Sequence, residues 1–480
     1  MLILAASAHA HAEGRPAFGG GAIGSLLGEP ASLDPVAART HAEIEVVGLV
    51  FDTLYQVRAD GAVTPHLAAG APQVSPDGLH ATIAIRPGVV FHDGSALTPK
   101  DVAASLDRLA KSDAGWLLAP VARIDADPTS ITITLAAPTP ELALYLAQPQ
   151  SAITPNGAAQ KKNPIGSGPF RVTSLDRKRQ RLALVAFDQH FAGRPYLDEL
   201  ELRWYTSGDE EARRYEIGDT QLSLRGQAVF AGHQPKYATD ELESPATVLV
   251  YVGFGRAHAA ALASADFRNA LSLALARSGF TAVGTGERVE PAVDPVPVEL
   301  GGTAVDGVAR TGDLDAAKAA LARAAKSVPS VSGLKLEVTV DMSRPDDREI
   351  AERVVRALDK LGITATIASV DAPQLAERIS KGTLDLYIGQ LPLVTAAPGL
   401  AWASAFEAGG DAWARRALAG GSIDPAQAKA QFAKALPIVP LYFRALRVYH
   451  RSDLRGLGFD GIARLGFADL FAFGAPRRHP

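Results

Sequence analysis

The sequence predicts an α/β protein built from two or three lobes. Three observations support this prediction: the chain has 480 residues, strand patterns dominate its first third, and strands alternate with helices in its second half. A compact domain usually holds about 100–200 residues, so one hydrophobic core cannot serve the whole chain. Strands that alternate with helices are typical of a parallel sheet covered by helices.

The first third carries strand signals separated by turns. After the turn Pro76-Asp77-Gly78, residues 79–86 alternate apolar and polar side chains, which predicts a half-buried strand. The run Thr98-Pro99-Lys100-Asp101 supplies a cap, a first-turn proline and an acid, so a helix is expected to begin at Pro99. Residues 131–135 (ITITL) are again typical of a strand.

In the second half, strands and helices alternate in the order that is typical of a doubly wound lobe. Apolar strands are predicted at 334–340 and 363–370, and the helix between them runs from Asp346 to Leu361 with Gly362 as its stop. A second helix ends at Gly382 and leads into the strand LDLYIGQL. This order predicts parallel strands joined by right-handed crossovers.

Ligands of such sheets bind beyond the carboxyl ends of the strands, which are here Asp341 to Arg344 and Gln390 to Leu393. The alternative is that both segments are ordinary surface loops.

Composition excludes several classes of protein. The 47% hydrophobic and 21% charged residues are those of an ordinary globular protein. A formal net charge of −4, with basic and acidic residues interspersed, leaves no basic face, so no nucleic-acid partner is expected. The absence of cysteine excludes disulfides, thiolate metal sites and a lipid anchor on an N-terminal cysteine.

Residues 1–12 have features of the end of a signal peptide. A short apolar run leads to small residues at Ala8, Ala10 and Ala12, a spacing that signal peptidase accepts, although no positively charged segment precedes it. We therefore expect export to the periplasm, without lipidation, as a soluble protein. The alternative is an alanine-rich N-terminus with no targeting role.

Motifs that would indicate catalysis or a cofactor are weak. GGGAIG (19–24) and GLGFDG (456–461) match the spacing GxGxxG, but prolines follow the first and only a short tail follows the second. His41 with Glu43 or Glu45 could be drawn as a metal site, and a solvated helix face is the favoured interpretation. The pair Asp346-Asp347 is interpreted as first-turn acids that complement a helix dipole. We predict no enzyme activity, cofactor or metal.

Several blocks, in their order, resemble the family-5 extracellular solute-binding proteins of ABC transporters, which include oligopeptide-, dipeptide- and nickel-binding members. The longest block runs from FDTLYQV to ASLDRL (51–109). The others are NPIGSGPFRV (163–172), FDQHFAGRPYLDELELRWY (187–205), DFRNALSLALAR (266–277), DLDAAKAALARAA with the strands and helices that follow it, and PIVPLYFRALRVY (437–449).

The resemblance implies a two-lobed periplasmic binding protein of type II, similar to cluster C. Lobe I would comprise residues 16–45, 165–243 and 446–474, with a strand-rich inserted subdomain at 46–164, and lobe II would comprise 244–445. It also implies that a small solute or short peptide is enclosed by hinge closure and delivered to an ABC permease by a monomeric binding protein. The alternatives are presentation of the ligand to a sensor and binding of an apolar, lipid-like ligand.

The resemblance also suggests ligand-contacting residues. The family's N-terminal contact strand corresponds to Glu29, Pro30 and Ala31, and the family's ligand-contacting tryptophan and aspartate fall near Gln390 and Leu393. No acid occurs between Asp385 and Glu407, so the usual partner of a peptide ammonium is missing there. Glu29 or Asp341 could replace it. The remaining candidates, expected to add apolar contacts, are Leu391, Leu393, Leu400 and Trp402.

Overall fold

The computed structural model describes residues 16–26, 28–205, 208–224, 238–282, 289–297, 302, 311–392 and 397–473. The predicted signal-peptide remnant and Leu393 lie outside these residues.

Lobe I begins with one strand and one helix before the chain enters the inserted subdomain. These elements are β1 (Gly21–Ser25) and α1 (His41–Val50). The subdomain contains β2 (Tyr55–Val57), β3 (Val63–Pro65), β4 (Gln73–Val74), β5 (His80–Ala84), α2 (Pro99–Ala110), β6 (Val121–Ala126), β7 (Ser130–Leu135) and α3 (Leu142–Tyr145). Strands β4, β5, β7 and β6 form an antiparallel sheet in that order. The predicted strands in this region and the helix start at Pro99 are confirmed.

The chain then completes most of lobe I. The elements are β8 (Phe170–Asp176), β9 (Arg181–Ala186), β10 (Glu199–Arg203), α4 (Gly208–Glu216) and β11 (Leu222–Ser223). Strand β1 pairs in parallel with both β10 and β11. Gly24 permits this central position, because a Cβ atom there would lie 3.3 Å from Leu202 Cδ2 and 3.4 Å from Leu222 Cβ. The first GxGxxG match therefore lies largely in a strand and not in a nucleotide-binding turn.

Lobe II follows, and the chain ends back in lobe I. The elements are β12 (Thr239–Phe254), α5 (Ala259–Leu262), α6 (Ala265–Ala274), β13 (Val289–Pro291), α7 (Leu314–Ser327), β14 (Lys335–Asp341), α8 (Pro345–Lys360), β15 (Thr364–Val370), α9 (Ala372–Lys381), β16 (Leu386–Pro392), α10 (Pro398–Ala408), α11 (Trp413–Ala419), α12 (Pro425–Ala435), β17 (Ile438–Arg451), β18 (Leu454–Arg455) and β19 (Phe471–Ala472).

The predicted parallel pairing in lobe II is confirmed: β14 pairs in parallel with β15 and with β16. Helix α8 covers this sheet with Ile350, Val354 and Leu358, which recur every fourth residue and are fully buried. Helix α9 ends at Gly382, whose φ of 66° gives the left-handed stop that the sequence predicts.

One sheet of 11 strands runs through both lobes, in the order β15-β14-β16-β12-β17-β11-β1-β10-β9-β8 with β13 beside β17. Strands β12 and β17 are long and antiparallel: Leu242 and Val448 pack with the core of lobe I, and Val252 and Val439 pack with the core of lobe II. Their register shifts between Glu243 and Ala246, which lies at the predicted lobe boundary. Helix α1 crosses the predicted boundary at residue 45, and its side chains as far as Phe51 pack in the core of lobe I.

Candidate ligand-binding site

A small cavity lies between the two lobes and is called here the interlobe cavity. Thr40, His41 and Leu446 line it from lobe I, and Val248, Arg344, Gln390 and Pro392 line it from lobe II. Its volume of about 20 Å³ is enough for about one water molecule. Arg344 and Gln390 belong to the segments that the sheet topology indicated, so the carboxyl ends of β14 and β16 do meet at this cleft.

The lobe I wall is organised by the carboxylate of Glu43. This carboxylate accepts hydrogen bonds from the backbone N–H of Ser32 (3.0 Å), Arg39 (2.9 Å) and Thr40 (3.0 Å). Thr40 is the N-cap of α1, because its hydroxyl oxygen accepts a hydrogen bond from the Glu43 N–H at 3.3 Å. Glu43 is buried, so its interpretation as part of a solvated helix face is wrong.

His41 and Glu45 lie one turn apart on α1, and both are enclosed. Burial is the largest cause that lowers the pKa of His41 to about 4, and the charges of Arg444 and Arg344 lower it further. Burial raises the pKa of Glu45 to about 8. Both groups are therefore neutral at pH 7, and the 3.6 Å between His41 Nε2 and Glu45 Oε1 is a neutral contact. The solvated-face interpretation is wrong for Glu45 also.

The lobe II wall is built around the guanidinium of Arg344. Its Nε lies 3.3 Å from Asp341 Oδ2 and its Nη1 lies 3.5 Å from Asp347 Oδ2, with both carboxylates fully buried. Asp341 also accepts hydrogen bonds from Ser343 N at 2.9 Å and Ser343 Oγ at 2.7 Å. Gln390 Nε2 donates to Asp347 Oδ1 at 3.3 Å. One buried cation thus bridges two buried acids at the edge of the cavity.

Asp347 is more than a first-turn acid that complements the helix dipole. Burial raises the pKa of its carboxyl to about 7, although the positive charge of Arg344 opposes this rise. Its ionisation near neutral pH therefore changes the charge of the lobe II wall. Asp347 does lie in the first turn of α8, and it is in addition fully buried beside Arg344 and Gln390.

The candidate residues of the N-terminal contact strand lie at the rim of the cleft. Glu29 forms an ion pair with Arg177, and the carbonyl oxygens of Pro30 and Ala31 each accept a hydrogen bond from the same guanidinium at 3.1 Å. The possible replacement acids Glu29 and Asp341 therefore both already face an arginine.

The apolar candidates are placed differently from the expectation. Trp402 is 3% exposed and packs edge-on against Phe432, with ring centroids 5.5 Å apart, in the same core cluster as Leu400. Neither Trp402 nor Leu400 lines the interlobe cavity in the described part of the chain. Leu391 is half-buried on β16 opposite Leu249. The described residues that line the interlobe cavity are the polar Arg344, Gln390, His41 and Thr40 and the apolar Val248, Pro392 and Leu446.

Three side chains at or beside the cavity were not predicted as ligand contacts. Arg344 was indicated only as the end of a segment, and His41 was considered only as a metal ligand. Arg444 was not considered; it is a buried residue of β17 whose charge acts on His41. Two signals could have found the arginines: four charges in DMSRPDD at the end of a strand, and a single arginine in the apolar strand IVPLYFRAL.

Neither a metal site nor a membrane-spanning helix is found among the described residues. No group of three or more His, Asp or Glu side chains in them is placed to hold a metal ion. None of the helices in the described ranges is both long and apolar enough to cross a membrane.

Proteins similar in sequence to this chain include solute-binding proteins of one family. Residues 62–410 match the bacterial extracellular solute-binding proteins, family 5, middle region. The uncharacterized protein YhjP of Bacillus subtilis is 27% identical over 354 residues, which cover 72% of this chain and 54% of YhjP. The glutathione-binding protein GsiB of Salmonella paratyphi A is 25% identical over 361 residues, which cover 72% of this chain and 69% of GsiB. The chain thus matches about half the length of YhjP.

Solved structures agree on the fold. The oligopeptide-binding protein AppA of Bacillus subtilis, in complex with a nonapeptide, superposes with a TM-score of 0.80 over 95% of this chain and 100% of AppA, at 19% identity. At this identity the likeness shows the fold, and it confirms the predicted two-lobed α/β class. The match to most of the chain, together with the shared architecture, makes this protein a member of family 5 of the bacterial extracellular solute-binding proteins.

Proposed function

We propose that the protein is the periplasmic substrate-binding component of an ABC importer, which captures a small organic solute between its lobes by hinge closure. The observation that carries the proposal is the interlobe cavity, which residues of both lobes line together. The cavity as it stands has room for about one water molecule, so a solute would enter the cleft only when the lobes part. Once held between the lobes, it would touch both walls only when they close on it, so binding would select the closed state. A permease can then distinguish the closed protein from the open one.

Strands β12 and β17 are the natural hinge. Their irregular register around Glu243 and Ala246 interrupts the ladder between the lobes. Across this point the N–H of Leu446 donates to the side chain of Ser244 at 2.8 Å instead of to a backbone carbonyl. A side-chain hydrogen bond at a bulge tolerates rotation better than a continuous ladder, which supports bending at this place.

The ligand class follows from the groups that face the cavity. Arg344, Gln390, His41 and Thr40 supply polar atoms, whereas Trp402 and Leu400 pack in the core. We therefore favour a solute with a polar or charged group over a lipid-like ligand. Asp341 and Asp347 pair with Arg344 and Glu29 pairs with Arg177, so these acids are already matched by cations. Simple di- and tripeptides with a free ammonium are accordingly expected to bind poorly.

Native mass spectrometry of protein purified from its own organism tests this proposal, because a captured solute would remain bound and could be identified. Small-angle scattering should then show compaction when that solute is added back to the stripped protein. Gln390→Ala removes a polar group from the cavity and should weaken binding about tenfold or more. The control Gln374→Ala alters an exposed residue of lobe II and should bind normally. Absence of any bound solute, together with an unchanged scattering profile across a metabolite library, would reject the proposal.

We further propose export with cleavage near Ala10 or Ala12, as the small residues at these positions suggest. Intact-mass measurement on protein from the envelope fraction should show a chain that begins just after one of them. A retained Met1 in cytoplasmic protein would contradict export.

A further inference from the structure

The segment Gly28–Ala31 leaves β1 and forms part of the cleft edge on lobe I. A Cβ atom on Gly28 would lie 3.2 Å from Ser343 Oγ, which belongs to the loop of lobe II that holds Arg344. Ser32 directly follows this segment, and its backbone N–H donates a hydrogen bond to the Glu43 carboxylate of the lobe I wall. Gly28 is therefore the point at which this segment approaches the lobe II loop that holds Arg344.

Three acceptors of this segment converge on one guanidinium. Arg177, on the turn between β8 and β9, pairs through Nη1 with the Glu29 carboxylate, and the same Nη1 donates to the Pro30 carbonyl at 3.1 Å. Its Nη2 donates to the Ala31 carbonyl at 3.1 Å. A carboxylate with two adjacent carbonyl oxygens is a set of acceptors suited to an ammonium or a guanidinium. In this protein an arginine of the same chain occupies that set.

We propose that Arg177 is a specificity-determining residue: it acts as an internal cation that occupies the acceptors of Glu29, Pro30 and Ala31, so that Glu29 cannot serve as the replacement acid for the free N-terminus of a peptide. This inference rests on the proposed function, since it names a class of solute that the same cleft rejects. The guanidinium neutralises Glu29 and occupies the carbonyl oxygens of Pro30 and Ala31. A ligand ammonium would have to displace it.

The position of the pair makes this arrangement testable by substitution. The side chains of Arg177 and Glu29 are 43% and 30% exposed, so truncation of Arg177 opens the acceptors to solvent without leaving a buried cavity. Arg179, on the same turn, is 73% exposed and lies 3.8 Å from Asp176. Arg179→Ala therefore changes the net charge by the same amount and leaves Glu29, Pro30 and Ala31 untouched.

Isothermal titration with trialanine, at constant ionic strength, compares wild type, Arg177→Ala and Arg179→Ala. Arg177→Ala should bind trialanine about tenfold or more tightly than wild type does, and Arg179→Ala should behave as wild type. N-acetyltrialanine, which lacks the ammonium, should show no such gain. Adding Glu29→Gln to Arg177→Ala should abolish the gain, because the carboxylate that would hold the ammonium is then neutral. Circular dichroism and the thermal midpoint of each variant show that it is folded.

The inference is overturned if Arg177→Ala gains nothing for trialanine, whether the peptide binds neither protein or both equally. It is also overturned if N-acetyltrialanine gains as much. These outcomes differ from a failure of the proposed function: a wild-type protein that compacts around its own captured solute keeps that function, whatever trialanine does. A folded protein that captures no solute and never compacts would instead reject the function.

Discussion

The two walls of the interlobe cavity are built on opposite electrostatic plans. On lobe I, burial leaves His41 and Glu45 neutral at pH 7, and the Glu43 carboxylate is satisfied by backbone N–H groups. On lobe II, Arg344 keeps its charge because Asp341 and Asp347 flank it. A buried carboxylate can thus be stabilised by protonation, by backbone donors or by a cation, and all three occur around this cleft.

The largest expected effect comes from removing the cation of the lobe II wall. Arg344→Met leaves Asp341 and Asp347 buried without their bridging charge, and should cost about 3–5 kcal/mol of unfolding free energy at pH 8. The cost should be smaller at pH 6, since Asp347, with a pKa of about 7, is then mostly neutral. Urea unfolding at both pH values measures this.

The matched control for that variant is Arg348→Met, which lies on the same helix α8 with a side chain that is exposed and 3.7 Å from Glu352. It should change stability by less than about 1 kcal/mol. Equal losses in the two variants would mean that the lobe II wall does not depend on its buried cation.

Truncation of Glu43 probes the backbone-satisfied carboxylate of lobe I. Glu43→Ala leaves the N–H groups of Ser32, Arg39 and Thr40 without their acceptor, and should cost about 1–3 kcal/mol. Glu377→Ala, an exposed residue of α9 paired with Lys381, serves as the control and should be near neutral. Urea unfolding that fails to distinguish the two variants would contradict the role assigned to Glu43.

Glu45 tests the neutral part of the lobe I wall. Folding raises its pKa from 4.5 to about 8, so the folded protein holds this proton more tightly than the unfolded chain does. The stability that Glu45 contributes is therefore complete below about pH 4.5 and is lost as the pH rises through about 8. Glu45→Gln cannot lose a proton, and it should gain on wild type across this interval by at most about 1.4 kcal/mol per pH unit.

Unfolding curves of wild type and Glu45→Gln from pH 5 to pH 9 measure this difference. A difference that stays constant with pH would show that Glu45 is not protonated in the folded protein. His41 has the opposite sign: its pKa is lowered from 6.5 to about 4, so its contribution falls as the medium becomes more acidic within that interval. Comparing the two proteins at each pH removes the His41 contribution, which they share.

The smallest effect is expected at a surface contact that joins the inserted subdomain to both lobes. Asp113 of the inserted subdomain pairs with Arg39 of lobe I at 2.7 Å, and its carbonyl accepts from Arg415 of lobe II at 3.2 Å. The side chains of Arg39 and Asp113 are 61% and 81% exposed, so Asp113→Ala should cost less than about 1 kcal/mol. The Asp113 carbonyl remains, but the substitution removes the negative charge that acts on Arg415 across the lobes, so the radius of gyration should rise slightly.

Asp60→Ala is the control, because its exposed pair with Arg58 stays within the inserted subdomain. Small-angle scattering that finds the two variants equally compact would show that the Asp113 link does not hold the lobes together.

Sequence by itself determined the local elements and the family. Period-2 and period-3.6 patterns and capping residues identified β5, α2 and the β14-α8-β15 unit, because these signals come from neighbours along the chain. The parallel order of the lobe II strands, and hence the edge at which Arg344 and Gln390 meet, followed from the alternation of strands and helices.

Tertiary structure decided the chemistry of the cleft. Glu43 resembles a solvated helix acid in sequence, yet it is buried because the Ser32 and Arg39 N–H groups fold back onto it. Trp402 follows β16 in the chain and was expected to contact the ligand, but it packs against Phe432 in the core. Glu29 is matched by Arg177, which lies far from it in the chain. Burial and charge depend on groups that the fold brings together from distant positions, and no local pattern records which groups those are.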